Sequence, residues 1–314
     1  MDLRSRSIRG TFHYANGLPR LAFSLDGQRV FAAGMNDASL LSGWRLPAED
    51  IPKTPRWWTW GVLSESGRTA LLFNFSSGRY ELYRPPEKLV ASGVGSLGIF
   101  PRLVGDGPAV AFISNDASAV GLHDLENHRA VWQHPCRLCK DISVSEDGSR
   151  LVQVGADGLE VWDTRTDQRL FQETRVARPL PRCSISRDGR RVVWSAVERA
   201  FVRDLDSGRE LTLPLDGALL AAQFSPDSNR LASITTRSTS VWEAATGRAM
   251  WSAANDVPNY VILRWSPDGR RLLVGHGFSA TEVLDAGSGE RLASFQALRR
   301  VVTPVVGELY SPDL

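Results

Sequence analysis

Short apolar runs alternate with polar turns along this chain, and one turn recurs on a fixed period. It has the form apolar-Ser-x-Asp-Gly, clearest at Phe23-Ser24-Leu25-Asp26-Gly27, Phe224-Ser225-Pro226-Asp227-Ser228 and Trp265-Ser266-Pro267-Asp268-Gly269. Its glycine position falls at Gly27, Gly67, Gly107, Gly148, Gly189, Ser228 and Gly269, 39 to 41 residues apart. A period near 40 residues marks a repeat architecture, whose units are each too small to bury a core alone. Pro226 and Pro267 pre-set the second residue of a type I turn, and Asp and Gly suit the next two positions. Beyond each turn comes a run such as Arg150-Leu151-Val152-Gln153-Val154 or Arg271-Leu272-Leu273-Val274, which predicts a strand packed on both faces.

A third strand then ends in an aromatic and an acid, as in Val161-Trp162-Asp163 and Val241-Trp242-Glu243, with looser copies at Val202-Arg203-Asp204 and Val283-Leu284-Asp285. A further turn carries Gly208, Gly247 or Gly289, and a fourth strand contains Ala130-Val131-Trp132, Ala249-Met250-Trp251 or Leu292-Ala293-Ser294-Phe295. Four strands of roughly five or six residues, with their turns, fill about 40 residues and make one antiparallel unit. No apolar stretch sustains a helical period, so the chain reads as all-β.

The order apolar-Ser-Pro-Asp-Gly, aliphatic run, Val-Trp-Asp and Thr-Gly resembles the WD40 repeat, the blade unit of β-propellers, over about residues 10 to 310. The resemblance implies one domain over residues 1–314, a seven-bladed β-propeller of four-stranded antiparallel blades around a central channel. TolB-like and peptidase-associated propellers share the turn, but Val-Trp-Asp and Thr-Gly favour WD40. Only Trp162-Asp163 is a true Trp-Asp dipeptide, and the usual Gly-His pair is absent. His13 and His134 lie near where that histidine belongs, and the resemblance implies that His134, Asp157 and Trp162 share a hydrogen-bond network. The repeat from Gly105-Asp106-Gly107 through His123-Asp124 is the most degenerate. Residues 6–14 and 290–296 both read as outer strands. We expect the N-terminal one to complete the last blade and close the ring, while residues 297–314 resemble the start of an eighth repeat.

Composition narrows the class of function. With 37 basic and 35 acidic residues the formal net charge is +2, so no whole-molecule field draws in nucleic acid or an anionic membrane. Only Lys53, Lys88 and Lys140 are lysines, a bias that points to a GC-rich bacterial genome. The N-terminus lacks the apolar core of a signal peptide, no segment approaches about 18 apolar residues, and three cysteines suit a reducing compartment. These readings predict a cytoplasmic protein.

The most unusual stretch is Arg56-Trp57-Trp58-Thr59-Trp60, in the loop leading into the second unit's first strand. Strand alternation points Trp58 and Trp60 one way and Trp57 the other, so burying all three is difficult. The bland reading has two of them filling the gap between units. In WD40-like propellers this loop opens on the narrow face, and Trp and Arg are enriched in binding hot spots. Tyr260, in Pro258-Asn259-Tyr260, occupies the equivalent loop of the seventh unit. Arg29, Arg150, Arg191, Arg230 and Arg271, each two residues past the turn's glycine position, form either a positive ring for phosphate or an ordinary charged rim.

Cys136 and Cys139, with Cys183 in the next unit, make half of a zinc signature, and buried thiols are the commoner outcome. None of the five histidines sits in a hydrolase, zincin or phosphate-loop motif. The resulting expectation is a non-enzymatic scaffold, without a cofactor, that docks a protein or peptide on its narrow face, either alone or as a subunit of a larger assembly. The alternative is a hydrolase or small-ligand binder using the channel.

Overall fold

The computed structural model describes residues 20–23, 30–33, 60–64, 66, 68–74, 77–84, 87–95, 97–174, 176, 183–196, 199–254, 261–276 and 280–295. Every element in it is a strand, and six sheets have four antiparallel strands each. The first is β3 (Trp60–Leu63), β4 (Ala70–Phe73), β5 (Arg79–Arg84) and β6 (Glu87–Val94). The second is β7 (Ile99–Leu103), β8 (Ala109–Ile113), β9 (Ala119–Asp124) and β10 (Arg129–Pro135). The third is β11 (Asp141–Val144), β12 (Arg150–Gly155), β13 (Gly158–Asp163) and β14 (Gln168–Glu173). The fourth is β15 (Cys183–Ile185), β16 (Arg191–Ala196), β17 (Arg199–Asp204) and β18 (Glu210–Pro214). The fifth is β19 (Leu219–Phe224), β20 (Arg230–Thr235), β21 (Ser238–Glu243) and β22 (Ala249–Ala254). The sixth is β23 (Val261–Trp265), β24 (Arg271–His276), β25 (Ala280–Asp285) and β26 (Arg291–Phe295). A hairpin of β1 (Arg20–Phe23) and β2 (Val30–Ala33) flanks the first turn of the repeat.

In every four-stranded sheet the strands pair in sequence order, so the sheets are meanders. The first strands touch in succession, β3 to β7, β7 to β11, β11 to β15, β15 to β19 and β19 to β23, and β23 meets β1. That order puts the first strands innermost and makes the first and last units neighbours, as in a propeller. Arg291–Phe295 fills the outer position of the last sheet, while residues 6–14 and 297–314 lie outside the described residues. The degenerate second sheet nevertheless has all four strands.

Burial follows the repeat. The second strands are sealed on both faces, with Leu71, Leu72, Val152, Val154, Val192, Val193, Ala232, Ile234, Leu272 and Leu273 buried. Each core lies between two successive sheets. Val120, Leu122 and Trp132 pack on Ile142, Leu151 and Trp162, and Ala232, Ile234 and Val241 pack on Leu263, Leu272 and Val274. Stacked faces of this kind supply the hydrophobic driving force no single sheet has.

The repeated turn joins first to second strands. Ser145 Oγ donates to Asp147 Oδ1 at 2.8 Å, accepts the Arg150 N–H at 3.0 Å, and its carbonyl accepts the Gly148 N–H at 3.0 Å. The same set recurs around Ser186, Ser225 and Ser266. The glycine position is left-handed, φ 71° at Gly148 and 73° at Gly189, and Ser228 takes 59° there. Asp124, Asp163, Asp204 and Asp285, each ending a third strand, cap the turn that follows, as where Asp163 Oδ1 accepts the Arg165 and Thr166 N–H groups at 2.9 Å.

Candidate functional site

The sheets present two ends: the repeated turns at one, and at the other the connections that lead into each first strand. The candidate hot spot belongs to the second kind. Trp60 opens β3, placing the Arg56–Trp60 stretch at the start of a first strand, and Tyr260 immediately precedes β23. Arg56, Trp57, Trp58 and Tyr260 lie outside the described residues, as does the Trp60 side chain.

The equivalent connection between β10 and β11 is described in full. Cys136-Arg137-Leu138-Cys139 forms a turn held by its backbone on every side. Cys136 N–H donates to Ser118 O at 2.9 Å, Cys139 N–H to Ala117 O at 2.9 Å, Lys140 N–H to Val154 O at 2.8 Å, and Arg137 O accepts the Ala156 N–H at 2.7 Å. Both cysteines insert into the apolar core between the second and third sheets. Leu138 faces outward instead, 59% exposed, at a left-handed φ of 52°. A γ-branched residue there is strained, and such strain persists only where the surroundings over-determine it. Beside it Arg137 pairs with Asp157, Nη2–Oδ1 2.8 Å and Nε–Oδ2 3.3 Å, and Lys140 is exposed. Across the adjoining hairpin, hydrogen bonds from Ser114 and Ser118 hold the Asp116 carboxyl down at about 2, so it is anionic at neutral pH. The arrangement is a stiff apolar tip among fixed charges.

Chemistry by the cysteines is not favoured. The Cys139 thiol is pushed far up by its hydrogen bond to the Cys136 sulfur and by burial, which disfavours a nucleophilic thiolate. Cys183 is buried between the third and fourth sheets. Among the described residues no group of three or more His, Cys, Asp and Glu is placed to hold a metal ion.

One expectation needs correction. His134 does stack between Trp132 and Trp162, at centroid distances of 5.7 and 3.6 Å, and its Nδ1 lies 3.6 Å from Asp167. Asp157, however, is held by Arg137, and the Trp162 indole donates to Glu160 at 3.3 Å, so the His134–Asp157–Trp162 network is not formed. The nearest counterpart is in the fifth sheet, where Trp242 Nε1 donates to the buried Ser233 Oγ at 2.9 Å.

The arginines past each turn also have a use that sequence reasoning missed. Arg150 Nη1 donates to Gly189 O at 2.9 Å, Arg191 Nη1 to Ser228 O at 3.2 Å, and Arg230 Nη2 to Gly269 O at 2.6 Å. Each guanidinium clasps the glycine-position carbonyl of the following blade. The 37-to-39-residue offsets were the available signal. At the same end an open depression of about 260 Å³ is lined by Arg187, Pro226, Asp227, Pro267, Asp268 and Gly269. Its carboxylates are engaged by their own turn serines, and Arg187 reaches Glu146.

A second row of bonds joins neighbouring blades, from the outer strands β10 and β22 and from the third strand β5. Trp132 Nε1 donates to Asp167 Oδ1 at 2.8 Å, Trp251 Nε1 to Ala286 O at 3.0 Å, and Tyr80 Oη lies 2.7 Å from His128 Nδ1. His128 and Asp167 occupy the left-handed position that Gly208, Gly247 and Gly289 fill elsewhere. Their side chains bond the preceding blade, which accounts for a non-glycine residue there.

Comparison with known proteins agrees with the fold. Hsv2 from the yeast Kluyveromyces lactis superposes with a TM-score of 0.61 at 13% identity, over 72% of this chain and 73% of Hsv2. A form of that protein with loop 6CD replaced by a Gly-Ser linker gives 0.64 at 14% identity, over 77% and 81%. These neighbours are β-propellers, and at such identity the likeness extends to the fold alone. No protein-family model matches the chain, and no curated protein does. Among the described residues no helix is long and apolar enough to cross a membrane.

Proposed function

We propose that this chain is a WD40-like interaction scaffold of the cytoplasm that docks a protein or peptide on the end where the first strands begin. The observation that carries the reading is Leu138, a large apolar side chain held exposed on a strained, fully pinned turn at that end. Ordering costs little where the backbone is already fixed, and apolar anchors ringed by polar groups are the anatomy of binding hot spots. Arg56, Trp57, Trp58, Trp60 and Tyr260 belong to connections of the same kind and extend the surface. Their aromatic rings supply buried area, and Arg56 pairs with a carboxylate of the partner.

The test is affinity capture from the native host with wild type, Leu138→Asp and Trp58→Ala/Trp60→Ala, each first checked for unchanged melting. We expect a partner held by wild type and lost from both variants. A partner retained by both overturns the assignment of this surface.

A further inference from the structure

The repeated turn carries its own record of what its carboxylate takes. In the third sheet Asp147 Oδ1 is held within the turn by Ser145 and Ser149, while its Oδ2 accepts from Arg165 Nη2 at 2.9 Å. Arg165 stands two residues past Asp163, the acid that ends the third strand. The fifth and sixth sheets repeat the turn without the arginine. Ser225 and the Asn229 N–H donate to Asp227 Oδ1, and Ser266 and the Arg270 N–H donate to Asp268 Oδ1. The positions equivalent to Arg165 are Ala245 and Gly287, with no side-chain donor to offer. Among the described residues no donor reaches Asp268 Oδ2.

These same two turns line the open depression of about 260 Å³. Of the seven turns they alone carry proline between the serine and the aspartate. Pro226 and Pro267 are half-buried, and Asp227 and Asp268 are exposed. The two turns meet across the seam between the sheets, where a Cβ on Gly269 would lie 3.8 Å from Pro226 Cδ. The lining cation Arg187 is held by Glu146, and Arg230 by the Gly269 carbonyl. The volume falls below the roughly 300–1,000 Å³ of pockets for drug-sized ligands and suits a single long side chain.

We propose that this depression takes one arginine side chain of a partner peptide, its stem against Pro226 and Pro267 and its guanidinium on the Asp227 and Asp268 carboxylates. The occupant follows from the third sheet, where the equivalent carboxylate already holds a guanidinium. A guanidinium presents its donors in a plane and packs its methylene stem and flat faces on apolar rings, whereas an ammonium is a compact, strongly hydrated charge. The site lies at the turn end of the ring, opposite the Leu138 surface, and is occupied independently of it. Because both carboxylates are exposed, each ion pair contributes little, and a single arginine binds with a Kd on the order of 1 mM that rises with salt.

The test is a titration of the full, isotope-labelled chain with a capped glycine-rich pentapeptide carrying one central arginine, followed by backbone amide shifts up to about 10 mM peptide. The Asp227, Ser228, Asp268 and Gly269 amides should shift saturably. The citrulline peptide, which keeps the shape and loses the charge, should leave them in place, and the lysine peptide should bind more weakly. The double variant Asp227→Asn/Asp268→Asn keeps each Oδ1 acceptor, so it should melt as wild type does and bind about 10-fold more weakly. Ala245→Arg supplies in the fifth sheet the arginine found in the third and should compete for Asp227, weakening binding about 3-fold. Asp147→Asn should change nothing. No saturable shift with wild type, equal binding of the citrulline or lysine peptide, or undiminished binding by the double variant or by Ala245→Arg overturns the proposal.

Discussion

Asp167 sits at a left-handed position, φ 56°, and accepts the Trp132 indole N–H of the preceding blade at 2.8 Å. Three substitutions there separate the backbone cost from the bond. Asn keeps an acceptor and tolerates the conformation, so it should lie within about 0.5 kcal/mol of wild type. Gly loses the acceptor but relaxes the backbone. Asp167 is 64% exposed, so the bond is discounted from the 1.5–3 kcal/mol of charged hydrogen bonds to about 1 kcal/mol. Backbone relief returns about 0.5–1 kcal/mol, leaving Gly near wild type. Ala loses the bond and adds strain, a total cost of about 1.5–2 kcal/mol, or roughly 3–6 °C in Tm for a chain of this size. Urea and thermal denaturation followed by tryptophan fluorescence should rank the variants Asn, Gly, Ala in falling stability. Ala as stable as Gly would refute the strain argument, and three indistinguishable variants would refute the interblade bond.

Arg230→Met keeps most of the stem but removes the bond to Gly269 O and the guanidinium 4.9 Å over Trp265, and should cost about 1–2 kcal/mol in urea denaturation. Leu138→Gly should raise stability by about 0.5–1 kcal/mol while abolishing partner capture, the opposite signs expected of strain kept for binding. All three cysteines should resist a thiol reagent in the folded protein and react once it is denatured; one fast-reacting thiol in the native state would contradict their burial. The Asp204 and Asp285 carboxyls are held below their usual range, chiefly by the Ser207 and Ser288 backbone N–H groups. Their contribution is therefore complete above the unfolded pKa near 3.9 and is lost as pH falls through the lower folded values. Melting temperature should drop below about pH 4, and Asp285→Asn should shrink that drop.

The repeat was legible in the chain because turn chemistry is local. Ser, Asp and Gly at 145, 147 and 148 satisfy one another within a few residues, and they recur at 186, 188 and 189. A periodic run of such turns admits few folds other than stacked four-stranded blades, so strand order and the apolar second strands followed. Even the degenerate second sheet kept its shape, because Val104 in the serine's place retains the backbone bond from Gly107. What the linear chain left open were contacts between units. That Arg150, Arg191 and Arg230 would clasp the next blade, that Asp157 would pair with Arg137 and not His134, and that His128 and Asp167 would replace glycine depends on neighbours some 20 to 48 residues away. The exposure of Leu138 is decided in the same way. Its neighbours Cys136 and Cys139 are drawn inward by a core built from two sheets, and the turn between them has only solvent to face.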